Sequence, residues 1–183
     1  MHPPPVSPVW LRQAQALDQA LLLKINGLDH PALGWLMRGL TKLGDTSSWF
    51  VIGVALLVAG GTVHQLGQRL AVAALSGALL AQILKRFAMR SRPSHTNPSV
   101  RVRCRVPACS SFPSGHTLTA FSIAMALGGL DSWVGVTATI LAAGIGTSRV
   151  FLGAHYPADV TAGAVLGSVW GAIIAVVWGP MPL

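Results

Sequence analysis

SWVGVTATILAAGIGTSRVFLGAHYPADVTAGAVLGSVWGAIIAVVW, residues 132–178, sets two uncharged apolar runs on either side of a short polar cluster. A helix needs about 20 residues to cross the hydrocarbon core of a bilayer, with polar ends tolerated at the interfaces. Val160 to the C-terminus meets that length easily, and Ser132–Val150 meets it by borrowing flanking residues. Between them Ser148-Arg149 closes one helix, Pro157 opens the next, and His155 and Asp159 stand at the join. An early-turn carboxylate can reach back to residues before its helix, so Asp159 can accept a hydrogen bond from one ring nitrogen of His155. The other nitrogen is then left as a nucleophile. Helix capping by Asp159 beside an interfacial His155 is the plainer reading of the same residues.

Working outward, further uncharged stretches run from Thr46 to Gln68, Leu70 to Leu84 and Thr117 to Leu130. The 183 residues are 52% hydrophobic and only 10% charged, a composition outside the soluble range and short enough for one domain. The expected fold is all-α: a polytopic membrane helix bundle of about five transmembrane helices in residues 46–183. Leu70–Met89, Ser114–Leu130 and Ser132–Val150 are its three shorter helices. Gly77, Ala78 and Ala81, with Ala143, Gly144 and Gly146, would let neighbouring backbones approach inside a bilayer.

Residues 1–45 read differently. Met1 to Pro8 is proline-rich and does not have the pattern of a signal peptide. Leu11, Ala14, Leu17, Leu21 and Ile25 share one face of a helix that should stop at Asn26-Gly27. A second helix begins near Pro31, and Leu33, Leu36, Met37, Leu40 and Leu43 form its stripe until Gly44. Arg38 and Lys42 lie off that stripe, so both segments are expected as N-terminal interfacial amphipathic helices. A short transmembrane helix is the alternative for the second.

The formal charge is +8, yet the cations lie at helix ends and in one loop rather than in a soluble basic domain with interleaved aromatics. Anionic lipid headgroups, not nucleic acid, are the nearer partner. There is no glutamate, and Asp18, Asp29, Asp45, Asp131 and Asp159 are too scattered in sequence to suggest a paired-carboxylate glycosidase or a carboxylate cage for a metal. Neither metal nor cofactor is expected.

Two further polar clusters sit at apolar boundaries. Lys85 and Arg92-Pro93 end one helix, where proline stops the chain and fixes an arginine fork as it leaves the bilayer. Snorkelling basic residues would account for Lys85, Arg86 and Arg90 equally well. Pro113-Ser114-Gly115-His116 opens the next helix: Ser114 is a natural N-cap, the helix start offers N–H groups to an anion, and Gly115 lets that backbone approach it. Counting crossings brings Lys85, Ser114, Arg149 and His155 to one face of the membrane. Together they suit phosphate-ester cleavage: cations and backbone donors for the oxyanion, one imidazole to attack phosphorus, a second to protonate the leaving oxygen.

Lys85-x6-Arg92-Pro93, Pro113-Ser114-Gly115-His116 and Ser148-Arg149-x5-His155-x3-Asp159 resemble the type 2 phosphatidic acid phosphatase superfamily of integral-membrane lipid phosphatases, which shares its site with vanadium haloperoxidases. All three motifs match without a substitution. The resemblance implies His155 as the nucleophile forming a phosphohistidine, Asp159 as its orienting partner and His116 as the general acid that later activates water. Lys85, Arg92, Ser114, Gly115 and Arg149 would cradle the phosphate, without a metal. The expected activity is hydrolysis of undecaprenyl pyrophosphate, phosphatidylglycerol phosphate or phosphatidic acid. Transfer of phosphate from a polyprenyl diphosphate to another lipid, or a non-catalytic membrane scaffold, are the alternatives.

Arg101, Arg103 and Arg105 alternate along the loop from Ser94 to Ser111 and would point to one side of an extended chain, suited to a second phosphate or an acidic headgroup. A solvated basic loop near anionic lipid is the other reading. Twelve of the thirteen Lys and Arg fall on the expected active face and only Arg69 opposite, which by count alone would make that face cytoplasmic. Cations needed for phosphate should not be counted as topogenic, and the resemblance implies the extracytoplasmic side of a bacterial inner membrane. Cys104 and Cys109 share the active-face loop, as a disulfide or as a reduced pair.

Overall fold

A computed structural model describes residues 8–106 and 110–179, with Thr62 described by its backbone alone. The Cys104–Cys109 pair therefore falls outside the described residues. Eight helices follow in order: α1 Val9–Asn26, α2 Pro31–Leu43, α3 Thr46–Ala59, α4 Gly61–Phe87, α5 Pro93–Thr96, α6 Gly115–Ala126, α7 Trp133–Phe151 and α8 Pro157–Trp178. Among the described residues there is no strand, as the apolar runs require.

The protein is an integral membrane protein. Within α4, α7 and α8, the segments Val63–Phe87, Trp133–Phe151 and Pro157–Trp178 are long and apolar enough to cross a bilayer. α2 and α3 do so only if taken as one broken span bent by 62°. Val165, Val169, Ile173 and Val176 line an exposed outer face of α8, a stripe at helical spacing that lipid would cover.

Two boundaries depart from expectation. The apolar run from Thr46 to Gln68 is not one helix, because the chain turns at Gly60 and Gly61, which have φ of 71° and 58°. Only glycine adopts that backbone freely, and a hydropathy pattern is blind to it. α4 consequently absorbs residues 61–68, and Arg69 lies inside it, where its Nη2 donates to the Gly179 carbonyl at 2.7 Å. The second departure is α6, which has 12 residues instead of a full span. It is the central helix of the bundle: it packs on α4, α7 and α8, and Leu118, Ile123 and Ala124 are almost wholly buried.

Small residues allow that packing. A methyl placed on Gly77 of α4 would lie 3.2 Å from Ser122 Cβ, and one on Gly146 of α7 would lie 2.9 Å from Val160. A closer helix–helix approach involves glycines that hydropathy does not single out. Gly163, Gly167 and Gly171 form a one-residue-in-four ladder along α8 against the α6 backbone at Ser114, Leu118 and Ser122.

α1 ends at Asn26 and α2 at Leu43, close to the expected stops. The face α1 turns to the bundle, however, carries Asp18, Leu22 and Asn26, while Leu17 and Leu21 of its apolar stripe are exposed. Asn26 is the anchor: its amide donates to the carbonyls of Arg101 and Phe151, both at 2.9 Å, and accepts from Arg101 N at 2.9 Å. A buried amide so fully paired fixes α1 to the loop and to the end of α7.

Candidate active site

Lys85 leaves the last turn of α4, Arg149 the last turn of α7, and Gly115 and His116 open α6. The turn from α7 to α8 presents His155. That turn needs Gly153, at φ 75°, where a side chain would strike the Arg101 carbonyl oxygen at 2.8 Å. Lys85, Arg92, Gly115, His116, Arg149 and His155 line one cleft of about 190 Å³. Ser114 and Asp159, both fully buried, stand behind its wall. The Ser114 hydroxyl accepts from Thr117 Oγ1 at 2.9 Å rather than capping its own helix, so it leaves the first-turn N–H groups uncapped.

Arg92 is buried to 1% exposure where Pro93 starts the short α5. Its Nη1 donates to the Ala154 carbonyl at 3.0 Å and lies 3.3 Å from His155 Nε2. A guanidinium has no acceptor, so Nε2 takes that hydrogen bond with its lone pair and the ring proton sits on Nδ1. Nδ1 in turn lies 3.6 Å from Asp159 Oδ2. The groups follow in the order carboxylate, Nδ1, Nε2, but 3.6 Å is beyond hydrogen-bond distance, and Nδ1 has no hydrogen-bond partner among the described residues. Burial pushes the His155 imidazole down to about 4; Asp159 opposes the shift, while Arg149 and Arg92 add to it. A neutral ring is the state a nucleophile requires, and Nε2 is free to attack once Arg92 turns its N–H from the ring to a bound phosphoryl oxygen.

Asp159 serves both of its readings at once. Its Oδ2 accepts the Tyr156 N–H at 3.0 Å, completing a capping box at the start of α8, and faces His155. Its Oδ1 accepts from Arg90 Nη1 at 2.7 Å. Arg90 reaches on to Asp18 Oδ2 of α1 at 2.6 Å and lies over the Tyr156 ring at 4.1 Å. Burial opposes its charge, but Asp18 and Asp159 outweigh that and raise the guanidinium above its ordinary value. Asp18 also accepts the Ala158 N–H at 2.8 Å. A helix expected to lie apart on the membrane surface thus supplies a carboxylate to the network behind the site.

The α2–α3 corner supplies two more partners. Thr41 Oγ1 accepts from Arg149 Nη1, and Asp45 Oδ1 lies 2.8 Å from His116 Nε2. Sequence reasoning noticed neither; Asp45 entered it only as a scattered acid, and no spacing signal connects residues 71 positions apart.

Arg101 and Arg103 do not line the cleft. Arg101 Nη1 donates to Asp29 Oδ2 at 2.8 Å, and Arg103 Nη1 donates to the Leu28 carbonyl at 3.2 Å while stacking on Phe151. Arg105 is exposed. Beside the cleft a second, more open hollow of about 300 Å³ includes Lys85, Arg90, Arg92, His95 and Ser110 in its wall.

A helical membrane bundle that gathers two imidazoles and three cations in one cleft defines a class of phosphate-ester enzymes, and comparison with known proteins agrees. The family model of the PAP2 superfamily matches residues 66–180. A decaprenylphosphoryl-5-phosphoribose phosphatase of Mycobacterium tuberculosis is 33% identical over 160 residues, 83% of this chain and 84% of the relative. An undecaprenyl-diphosphatase of Sulfolobus acidocaldarius is 32% identical over 155 residues, covering 83% and 73%. The crystal structure of Aquifex aeolicus LpxE superposes with a TM-score of 0.75 at 28% identity, over 86% of this chain and 93% of that one. The chain belongs to the PAP2 superfamily. It is an enzyme of the lipid-phosphatase class.

Proposed function

We propose that this protein hydrolyses a lipid phosphate or diphosphate through a phosphohistidine on His155. The observation that carries the reading is the content of the cleft: Lys85, Arg92 and Arg149 beside His116 and His155, with no carboxylate in its lining. Arg149 is 4% exposed and its Nε has no acceptor among the described residues, a cost that a bound anion would remove. Lys85, Arg92, Arg149 and the Gly115 N–H hold the phosphoryl oxygens, while the Ser114 N–H is taken by the Asp159 carbonyl at 3.0 Å and fixes the start of α6 against α8. His155 Nε2 attacks phosphorus, the bond to the leaving oxygen breaks with its electron pair, and His116 gives that oxygen a proton. Water then gives a proton to His116 and its oxygen to phosphorus, the nitrogen–phosphorus bond breaks, and inorganic phosphate leaves.

An apolar groove of about 270 Å³ between α3 and α4 includes Trp49, Phe50, Gly53, Ala71 and Ala74 in its wall and shares Thr46 with the catalytic cleft. It gives a lipid tail a path from the bilayer to the reacting phosphate, and it is the reason to prefer lipids over soluble esters. Undecaprenyl pyrophosphate, phosphatidylglycerol phosphate and phosphatidic acid remain the candidates. A headgroup role for Arg101, Arg103 and Arg105 asks the first two to exchange Asp29 and Leu28 for the substrate, which an exposed ion pair permits at small cost. Purified protein in detergent with EDTA should release inorganic phosphate from at least one of the three lipids. Replacing the three arginines together should raise KM several-fold for diphosphates and leave phosphatidic acid unchanged. Equal losses on all lipids would remove the headgroup role, and loss of substrate without free phosphate would turn the reading to phosphotransfer.

The site belongs on the extracytoplasmic side of the inner membrane in this proposal, and residues 1–45 lie along that same interface. Arg90, Arg92, Arg101, Arg103 and Arg149 are all engaged by groups of the protein itself, which gives them a structural use apart from topology and supports setting them aside in the charge count. A membrane-impermeant maleimide should label Cys104 or Cys109 in intact cells after mild reduction. Labelling only after lysis would place the site in the cytoplasm.

A further inference from the structure

α3 begins at Asp45, the N-cap position, with extended backbone. An aspartate there ordinarily turns its carboxylate onto the first N–H groups of its own helix. Asp45 does not: its backbone carbonyl accepts from Ser48 N at 3.0 Å and Trp49 N at 3.3 Å, while its side chain makes no cap. The carboxylate instead reaches His116 Nε2 at 2.8 Å. The corner is built to allow that approach, since a methyl on Gly44 would lie 2.7 Å from Ile145 Cγ2 and 3.1 Å from His116 Cδ2.

Taking His116 as the proton donor of the reaction above, on which this inference rests, we propose that Asp45 is its positioning residue. A carboxylate on Nε2 commits that nitrogen to an N–H, so Nδ1 is the atom that exchanges a proton with the leaving oxygen. Burial, with Arg149 and Lys85 adding to it, pushes the His116 imidazole down to about 4, and Asp45 is the group that opposes them. When His116 carries the proton it must deliver, this carboxylate is the charge that favours it. Asp45 lies outside residues 66–180, so the site draws this partner from the N-terminal helices. The pair is partly exposed, 28% for His116 and 48% for Asp45, which makes it a weak clamp for the fold and directs its effect to orientation.

Leaving-group dependence tests this. An alkyl lipid phosphate needs its leaving oxygen protonated, whereas p-nitrophenyl phosphate expels a phenolate that does not. In rapid-quench assays on full-length protein in detergent, Asp45→Asn should slow the first turnover of phosphatidic acid by about 10–100-fold, part of the roughly 10²–10⁴-fold that a positioned acid contributes. The first turnover of p-nitrophenyl phosphate should stay within about threefold. Asp45→Ser, which keeps an N-cap residue, should behave alike, and both variants should melt as the wild type does. Equal losses on the two substrates, or no loss on either, would overturn the proposal. His155→Ala in parallel keeps the two readings separate: activity surviving that change would overturn the phosphohistidine mechanism itself, whatever Asp45 does.

Discussion

His155→Ala should eliminate phosphate release from every lipid substrate, a fall of about 10⁴-fold or more, because no other group in the cleft can take the same part. Nε2 is the nitrogen turned to the cleft, supported on one side by Arg92 at 3.3 Å and, through the ring, by Asp159 at 3.6 Å. His116 is held to a different part by Asp45, which lies 2.8 Å from its Nε2 and leaves Nδ1 to serve the leaving oxygen. Substrate affinity should change little, because Lys85, Arg92 and Arg149 remain in the lining. The pattern to look for is therefore a lost kcat with KM nearly retained. Wild-type enzyme quenched during turnover of labelled substrate should carry an acid-labile, base-stable label, as expected of a phosphoramidate, and the variant should carry none. Labelling at another residue, or full activity in the variant, would remove His155 from the nucleophile's role.

Gly167→Ala should be strongly destabilising. One added methyl would lie 2.3 Å from the Leu118 carbonyl oxygen and 3.0 Å from its carbonyl and α carbons. These are backbone atoms of a buried helix, so no side chain can rotate away. α8 and α6 must separate, and with Gly163 and Gly171 packed against the same helix the separation would run along most of α6. Overpacking of this kind costs about 3 kcal/mol or more, and for a protein of this size about 2–4 °C of melting temperature is lost per kcal/mol. The expected result is a Tm lower by about 10 °C in detergent, with activity falling as α6 carries His116 away from His155. Gly39→Ala is the control: Gly39 lies in α2 with nothing within 4 Å of the added carbon, so there alanine should gain the usual helix preference of about 1 kcal/mol. Similar melting of the two variants would show that the α6–α8 contact is looser than the distances imply.

Much of the cleft was legible because its chemistry is carried by short stretches at apolar boundaries. His155 and Asp159 are one helical turn apart, Arg92 is held by the proline that follows it, and Gly115-His116 open a helix, so local rules place each group. Span counting brought these ends to one face, and in the structure Lys85, Arg92, Gly115, His116, Arg149 and His155 line one cleft while Ser114 and Asp159 are buried behind it. Helix limits were less legible. The break at Gly60-Gly61 lies in backbone dihedrals, which leave no trace in hydropathy. The shortness of α6 follows from being surrounded by protein, so that it has no need to match the bilayer's thickness.

What the sequence alone determined was an all-helical membrane bundle and the identity of most of the charged and imidazole groups that line its cleft. Those depend on composition, on period and on spacings of a few residues. Tertiary structure alone decided what stands behind them: Asp45 on His116, Thr41 on Arg149, and Asp18 with Arg90 on Asp159. It also set Arg101 and Arg103 against Asp29 and Leu28 and drew three glycines of α8 onto α6. The physical reason is range. A helix writes its own period into neighbouring residues, but a carboxylate 71 residues from its histidine is bound to it only by the packing of the helices between.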